Sequence, residues 1–328
     1  MLRFVIWILV FFVIPKSLFA QSTLSDRPPV TIAESLQRLL AVTDDVEDWF
    51  EQPVAPQAWF AQADTLFLQL TSHSANHLPL AGFDFDSYPE MRFSGSSYED
   101  GRYRAVPKIT IGHQGDDGVT CEVTWFGRDD WQRSANLIVP PSNLAGTLVS
   151  QQTSLATNFQ SVEANLFLPA EPESSIKFVA GLRYFLVNQR LNLVETENSF
   201  TADSAVTNNL IGGQIGARYD RAWDRWSVNV NGKVGVFGNL ATSREDSLIY
   251  GPEPITRTTT TSVATDIAIN LQYRVTQRCF AKIGYQFLWL DHVALAAGQL
   301  SGTGPLGSVA AKDSLMLQGP TAGLEIRF

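Results

Sequence analysis

The segment Val263–Val275, VATDIAINLQYRV, decides the fold class, because its polarity alternates from residue to residue. One set of alternate positions holds Val, Thr, Ile, Ile, Leu, Tyr and Val, and the other holds Ala, Asp, Ala, Asn, Gln and Arg. Successive side chains of a β-strand point to opposite faces of the sheet, so the segment predicts a strand with one apolar and one polar face. It is also much longer than the ~5–6 residues usual in globular proteins.

The same alternation recurs along the chain and predicts about ten strands. They are Trp59–Thr71, Tyr103–His113, Val119–Arg128, Asn158–Leu168, Ile176–Arg190, Asn209–Asp220, Trp226–Gly238, Val263–Val275, Phe280–Asp291 and Leu315–Phe328. Connections after the even strands are short, and those after the odd strands are long and polar. Together these features predict an all-β fold, a closed antiparallel transmembrane β-barrel of about ten strands. A secreted, water-soluble β-protein is the alternative.

The N-terminus predicts export. A basic start, the apolar run Phe4–Ile14 and a small residue at Ala20 are typical of a signal peptide over residues 1–20. An uncleaved anchor is the alternative. Residues 21–58 form a predicted periplasmic segment with one N-terminal amphipathic helix, about Ile32–Phe50, and residues 59–328 form the barrel. We therefore expect an outer-membrane protein with both termini in the periplasm.

Charge is sparse and unevenly placed. The net charge is −9 and only 17% of residues are charged, against roughly 25% in typical soluble domains. Residues 21–100 carry 13 acidic and 3 basic residues, so the acidity belongs to the leader and the first loop. The sign of the charge argues against nucleic acid as a partner. We interpret the acidic end of the helix as a solvated face rather than a cation site.

Several motifs resemble known membrane barrels. The final residues Gly323–Phe328, GLEIRF, are similar to the terminal-aromatic signal of bacterial outer-membrane barrels, which implies recognition of Phe328 by the barrel-assembly machinery. The segments Trp59–Asp64, Ala180–Tyr184, Asn209–Ala217 and Gly284–Gln286 resemble the planctomycetal outer-membrane β-barrel family of unknown function. The resemblance spans about residues 59–328, implies the fold and the location, and supplies no catalytic residue.

The polar phase of the strands predicts the side chains that line the lumen. Basic residues are in excess, which favours a narrow anion-preferring pore. A lumen filled by ion pairs is the preferred interpretation, because barrels near eight strands are filled by side chains. The predicted lining is Arg104, Lys108, Glu122, Glu163, Lys177, Arg183, Gln214, Arg218, Lys233, Asp266, Arg274, Lys282, Glu325 and Arg327.

The apolar phase predicts membrane-interface aromatics. These are Trp59, Trp125, Tyr219, Trp226, Tyr273, Tyr285 and Trp289. The predicted partners are outer-membrane lipid and the assembly machinery. We expect no cofactor and no metal, since two cysteines and four histidines offer no ligand motif.

A hydrolase at the barrel rim is a weaker alternative. Asp291 and His292 lie at the long-loop end of the ninth predicted strand, with His73 and His77 in the first loop. Adjacent strand residues face opposite sides, so Asp291 and His292 are not expected to pair. The favoured function is a non-enzymatic, structural or surface-interaction barrel that displays long polar loops. A narrow porin-like channel for small, anionic solutes is the second reading, and a rim protease or lipase is the third.

Overall fold

The computed structural model describes residues 58–73, 103–139, 149–171, 174–195, 200–247, 251–252, 255–299 and 309–328. The predicted signal peptide and helix lie outside these residues. The strands are β1 (Ala58–His73), β2 (Arg104–Gln114), β3 (Thr120–Val139), β4 (Val149–Pro169), β5 (Ile176–Glu195), β6 (Phe200–Trp223), β7 (Trp226–Ser247), β8 (Gly251–Pro252), β9 (Thr256–Arg274), β10 (Cys279–Val293) and β11 (Asp313–Arg327).

The sheet closes on itself. Each long strand pairs antiparallel with its neighbours, β7 pairs directly with β9, and β1 pairs with β11 through registers such as Ala63 with Leu324. The two-residue β8 only extends the edge of β7. The prediction of a closed antiparallel barrel of ten strands is confirmed.

The two ends of the barrel differ. At the turn end, where β1 begins and β11 ends, the connections are tight, as in the segment between β6 and β7, where Asp224 has a φ of 53°. Backbone hydrogen bonds between Trp59 and Phe328 join the strand ends there. The opposite end, with the connections after β1, β3, β5, β7 and β10, is called the loop end below.

At the loop end the strands are longer than predicted. β4 begins at Val149 rather than Asn158, β6 at Phe200 rather than Asn209, and β7 continues to Ser247 rather than Gly238. The prediction that long polar loops follow the third, fifth and seventh strands is wrong. Those residues are largely strand, because polar residues are as typical of water-exposed strands as they are of loops.

The outer face carries an apolar belt near the turn end. On β5 it runs from Ile176 through Phe178 and Leu182 to Leu186. The ten steps along this stretch, at about 3.3 Å each and tilted by about 40°, span roughly 25 Å, the height of a barrel's lipid-facing band. Beyond Leu186 the outward positions of β5 become Asn188, Arg190 and Asn192.

On the inner face the side chains change from polar to apolar toward the loop end, the reverse of the change on the outer face. Inside the belt, β5 presents Lys177 and Arg183, whereas from the far edge of the belt onward the same strand presents Phe185, Val187 and Leu191, all fully buried. β4 behaves likewise, with Glu163 and Asn165 inside the belt and Leu155 and Phe159 beyond it. We call the two parts the turn-end half (apolar outside, polar inside) and the loop-end half (polar outside, apolar inside).

Part of the connection after β10 folds into the barrel. The one-turn helix α1 (Ala296–Gln299) lies against β5, β6 and β7. Ala294, Leu295 and Ala296 are buried, as is Val309 where the described chain resumes. Within the described residues, no helix is both long and apolar enough to cross a membrane.

Candidate functional site in the barrel interior

A cluster of charged side chains crosses the lumen of the turn-end half. Arg183 Nη1 lies 2.7 Å from Asp266 Oδ2 and 3.3 Å from Glu163 Oε2. Lys233 Nζ lies 2.7 Å from Glu163 Oε2 and 3.7 Å from Asp266 Oδ2. We call these two acids and two bases the central cluster. It is neutral overall, and it ties together strands β4, β5, β7 and β9.

Neutral side chains satisfy much of the remaining hydrogen-bonding capacity of the central cluster. Gln214 donates to Glu163 over 2.8 Å, and Gln286 donates to Asp266 over 3.1 Å. Arg183 also donates from Nε to Ser161 Oγ over 2.9 Å. Buried ions are tolerated only when they are paired and hydrogen-bonded; all four charges of the central cluster are paired, and within the described structure Arg183 Nη2 is the one nitrogen of that guanidinium without a hydrogen bond.

Two further ion pairs line the turn-end half. Lys282 reaches across to Asp64 over 2.9 Å, and Arg218 reaches Glu122 over 2.9 Å. The Arg218 guanidinium also stacks 3.7 Å from the centre of the Phe167 ring. These contacts link β1 to β10 and β3 to β6, so most of the wall is cross-connected through the interior.

The structure places all the predicted lumen residues at inward positions of their strands. Most are part of these pairs or line the space beside them. Arg104 sits beyond the charged region, in the loop-end half, next to the inward Val106. Arg274 lies at the turn-end rim, where it donates to the Asp224 carbonyl over 3.2 Å.

Apolar side chains fill the loop-end half. Four phenylalanine rings from adjacent parts of the wall form a row: Phe126 to Phe159 at 5.5 Å, Phe159 to Phe185 at 5.9 Å, and Phe185 to Phe237 at 5.2 Å between centroids. Leucines from β1, β10 and β11 join them in one buried core. Arg183 lies 4.4 Å from the Phe185 ring centre, so the central cluster abuts this core directly.

The inward-folded connection seals the core further and is held through its backbone. The Asn208 amide donates to the Ala294 carbonyl over 2.7 Å and accepts from the Ala294 N–H over 2.8 Å. Gln189 Oε1 accepts from the Ala296 N–H over 2.8 Å, and Asp313 from the Leu295 N–H over 3.1 Å. We call residues 293–299 and 309–311 the plug.

Sequence reasoning missed the residues that hold the plug. Asn208, Gln189 and Asp313 are buried polar residues among apolar inward neighbours. A single polar residue among inward positions that are otherwise apolar predicts a buried hydrogen bond, because a buried polar side chain requires a hydrogen-bonding partner. The identity of that partner is not readable from the sequence, since the plug contacts are long-range.

An open cavity occupies the rest of the turn-end half. Its volume is about 460 Å³. Glu163, Lys233 and Asp266 of the central cluster border it on the inner side, and Asp224 and Arg225 lie at its turn-end mouth. The cavity is therefore a blind vestibule, open at the turn end and closed by the central cluster and the apolar core.

Asp291 and His292 do pair, contrary to expectation. His292 Nδ1 lies 2.9 Å from Asp291 Oδ2. The register of β10 shifts between Asp291 and Val293, and His292 has a φ of 58°, so a β-bulge cancels the alternation. In the described part of the chain, neither side chain has a further hydrogen-bonding partner. His73 ends β1 rather than lying in a loop, and His77 is outside the described residues.

The predicted interface aromatics all occupy outward positions. Trp59, Tyr219, Trp226 and Tyr273 lie near the turn end, where Trp226 and Tyr273 pack with ring centres 4.8 Å apart. Trp125, Tyr285 and Trp289 lie further along their strands. The C-terminal Phe328 is 63% exposed beside them at the turn end. Across the described ranges, no group of three or more His, Cys, Asp or Glu residues is arranged to hold a metal ion.

Together the fold and the interior define a closed β-barrel with a lipid-compatible belt and a filled lumen. The family described as "Putative beta barrel porin-7 (BBP7)" matches residues 126–303, and the chain belongs to this family. The resembling segments Ala180–Tyr184, Asn209–Ala217 and Gly284–Gln286 fall inside the match, whereas Trp59–Asp64 falls outside it. A planctomycetal origin stays a prediction.

Solved barrels share the fold only distantly. The outer membrane protease OmpT from Escherichia coli is 12% identical with a TM-score of 0.48, covering 84% of this chain and 99% of that one. The translocator domain of autotransporter NalP from Neisseria meningitidis is 8% identical with a TM-score of 0.40, covering 90% and 96%. Likeness at this level carries no argument about activity. No curated protein matches the chain.

Proposed function

We propose that this protein is a non-conducting outer-membrane barrel with a structural or surface-interaction role. The belt supports the membrane location, because exposed side chains such as Leu182 (70% exposed) and Ile211 (69%) are costly in water and favourable against lipid. The turn end then faces the periplasm, and the loop-end half extends outside the bilayer. In this arrangement the loop-end half is the surface available to partners.

One observation carries the proposal: the barrel cross-section is filled at two successive levels. The central cluster spans the first level, and the phenylalanine row with its leucine neighbours fills the second. Both fillings come from the barrel wall itself. Removal of the plug alone would therefore not open a path, unlike in a barrel whose only obstruction is an inserted loop.

A narrow channel is the second candidate. The family description names a porin, and the vestibule is rich in basic side chains, which favour anions. Conduction would require both the central cluster and the apolar core of the loop-end half to move. Each consists of side chains that belong to strands of the closed sheet. The rim hydrolase has less support, since the His292 side chain is more than half exposed and, within the described residues, the Asp291–His292 pair lacks a third group to position it.

Single-channel recording in planar bilayers tests the proposal. We expect the purified full-length protein to insert without conductance steps. A variant carrying Phe126→Ala, Phe159→Ala and Phe185→Ala empties part of the second level and serves as the opened control. A heat-dependent gel shift confirms that each variant is folded. Regular steps from the unmodified protein would overturn the proposal and favour the channel.

A further inference from the structure

The vestibule at the turn end has an excess of positive charge. Nine basic and six acidic residues line it. The basic residues are Lys108, Lys177, Arg218, Arg221, Arg225, Lys233, Arg274, Lys282 and Arg327, and the acidic ones are Glu122, Glu163, Asp220, Asp224, Asp266 and Glu325. The excess lies in an enclosure whose outer wall is the apolar belt.

Most of the vestibule carboxylates are already neutralised by particular partners. Glu122 pairs with Arg218, and Glu325 pairs with Arg327 over 2.8 Å. Glu163 and Asp266 belong to the neutral central cluster. These four acids leave no spare negative charge for the other cations.

Several of those cations have no acidic partner of their own. Among the described residues, no carboxylate lies within 4.0 Å of the ammonium of Lys108 or Lys177, and Lys108 donates only to the Gln286 amide oxygen over 3.2 Å. Among its charged neighbours, Lys177 feels the opposite charge of Asp220 most strongly, then the like charges of Arg218 and Arg327, and then the opposite charge of Glu122. The Arg218 Nε is buried and makes no hydrogen bond within the described structure.

Unpaired cations in such a space are a recognisable anion-binding arrangement. Like charges repel strongly where low-dielectric walls replace water, and a bound anion relieves this repulsion. Guanidinium and ammonium groups donate charge-assisted hydrogen bonds to carboxylate and phosphate oxygens. The volume of about 460 Å³ falls within the range of roughly 300–1,000 Å³ typical of small-molecule sites.

We infer that the vestibule is a binding site for a small oxyanion, a carboxylate or phosphate compound, that enters from the turn end. Lys177 and Arg218, register partners on β5 and β6, would bind the anionic group, with Lys108 beside Gln286 as a further cation of the vestibule, and the wall side chains behind them prevent its passage. The site therefore retains a solute on one side of the barrel rather than transporting it. Binding of the oxyanion goes beyond the proposed function, whereas its retention on one side of the barrel rests on that function; the two are distinguishable because binding and conductance are measured separately.

Isothermal titration of the full-length protein in neutral detergent tests the inference, with inorganic phosphate and citrate as separate probes at low salt. We expect saturable binding of at least one of them, and the comparison identifies the preferred oxyanion. The double variant Lys108→Gln/Lys177→Gln should weaken binding at least about ten-fold, since it removes two charge-assisted contacts. Arg190→Gln, which removes an exposed guanidinium on the outer face, should leave it unchanged.

The fold of each variant is checked by the heat-dependent gel shift, and Lys177→Arg keeps the charge and should retain binding. The inference is overturned by the absence of saturable binding of both probes at about 10 mM, a concentration at which even weak sites fill. It is equally overturned if the double variant binds like the unmodified protein, because the bound ion is then adventitious. Loss of binding in Lys177→Arg as well would also contradict a charge-based site.

Discussion

The turn-end and loop-end halves of this barrel are built from the same ten strands with opposite polarity. On β5 alone, the outward, exposed Leu182 precedes the exposed Arg190, while the buried Arg183 precedes the buried Leu191. Side chains alternate between the outer and inner faces along the whole strand, but the face that carries the apolar side chains changes from the outer to the inner one. The outer face must be apolar against lipid and polar against water. The residue at which the apolar side chains change face therefore marks where the surrounding medium changes.

The difference also explains how each half is stabilised. With the proposed membrane location, lipid covers the apolar side chains of the turn-end half, so interior stability there depends on the pairing of its buried charges. The loop-end half then lies in water, and its interior stability depends on burying apolar area as in a soluble protein. Substitutions at matched positions of the two halves should therefore have different effects.

The largest effect is expected for Arg183→Ala in the central cluster. It leaves Glu163 and Asp266 facing a single ammonium, and loss of one partner of a buried ion pair costs about 3–5 kcal/mol. Urea unfolding from liposomes measures the free energy of unfolding. Arg190→Ala, which breaks the exposed pair with Asp203, is the control and should cost less than about 1 kcal/mol. Equal losses in the two variants would contradict the distinction between buried and exposed pairs.

A somewhat smaller effect is expected when charge is placed on the outer face. Leu182→Arg puts a guanidinium into the belt and should cost about 2–4 kcal/mol of unfolding free energy. Asn192→Arg, on the same face of β5 beyond the belt, should be nearly neutral because its side chain stays in water. The same urea titration compares them. A penalty for Asn192→Arg as large as that for Leu182→Arg would place the loop-end half inside the bilayer.

The smallest of these effects concerns the plug. Asn208→Ala removes two hydrogen bonds to the Ala294 backbone and leaves buried polar groups unsatisfied, at a cost of about 1–3 kcal/mol. Thr207→Ala, its outward neighbour, is the matched control. Because the plug is held locally, limited proteolysis should show faster cleavage within residues 294–312 in Asn208→Ala than in Thr207→Ala. Unchanged cleavage would show that Asn208 does not hold the plug.

The sequence predicted the turn-end half well and the loop-end half poorly, for one physical reason. Turn-end boundaries such as Ile176 of β5 and Trp226 of β7 were predicted to the residue, because tight turns and lipid-facing alternation coincide there. Beyond the belt, outward Ser, Thr and Asn residues are as common in loops as in water-exposed strands. The extension of β4 back to Val149 therefore gave no distinguishing signal.

The interior was predictable by position but not by pairing. Alternation assigned Glu163, Arg183, Lys233 and Asp266 to the lumen, yet their mutual contacts join residues up to 83 positions apart and depend on barrel closure. The pairing of Asp291 with His292 was missed because a bulge overrides alternation locally. The blind vestibule likewise follows only from the closed sheet, which brings Lys108 and Lys177 to one space.

The most direct test of the central claim is a cysteine scan of the outer face of β5 in a background with Cys121 and Cys279 replaced. Single cysteines at positions 178, 182, 186, 190 and 192 are labelled with a membrane-impermeant thiol reagent in liposomes. The account predicts protection at 178 and 182 and rapid labelling at 190 and 192, with the change near 186. Rapid labelling at all five positions, or protection at 190 and 192, would contradict a membrane boundary at the change of polarity.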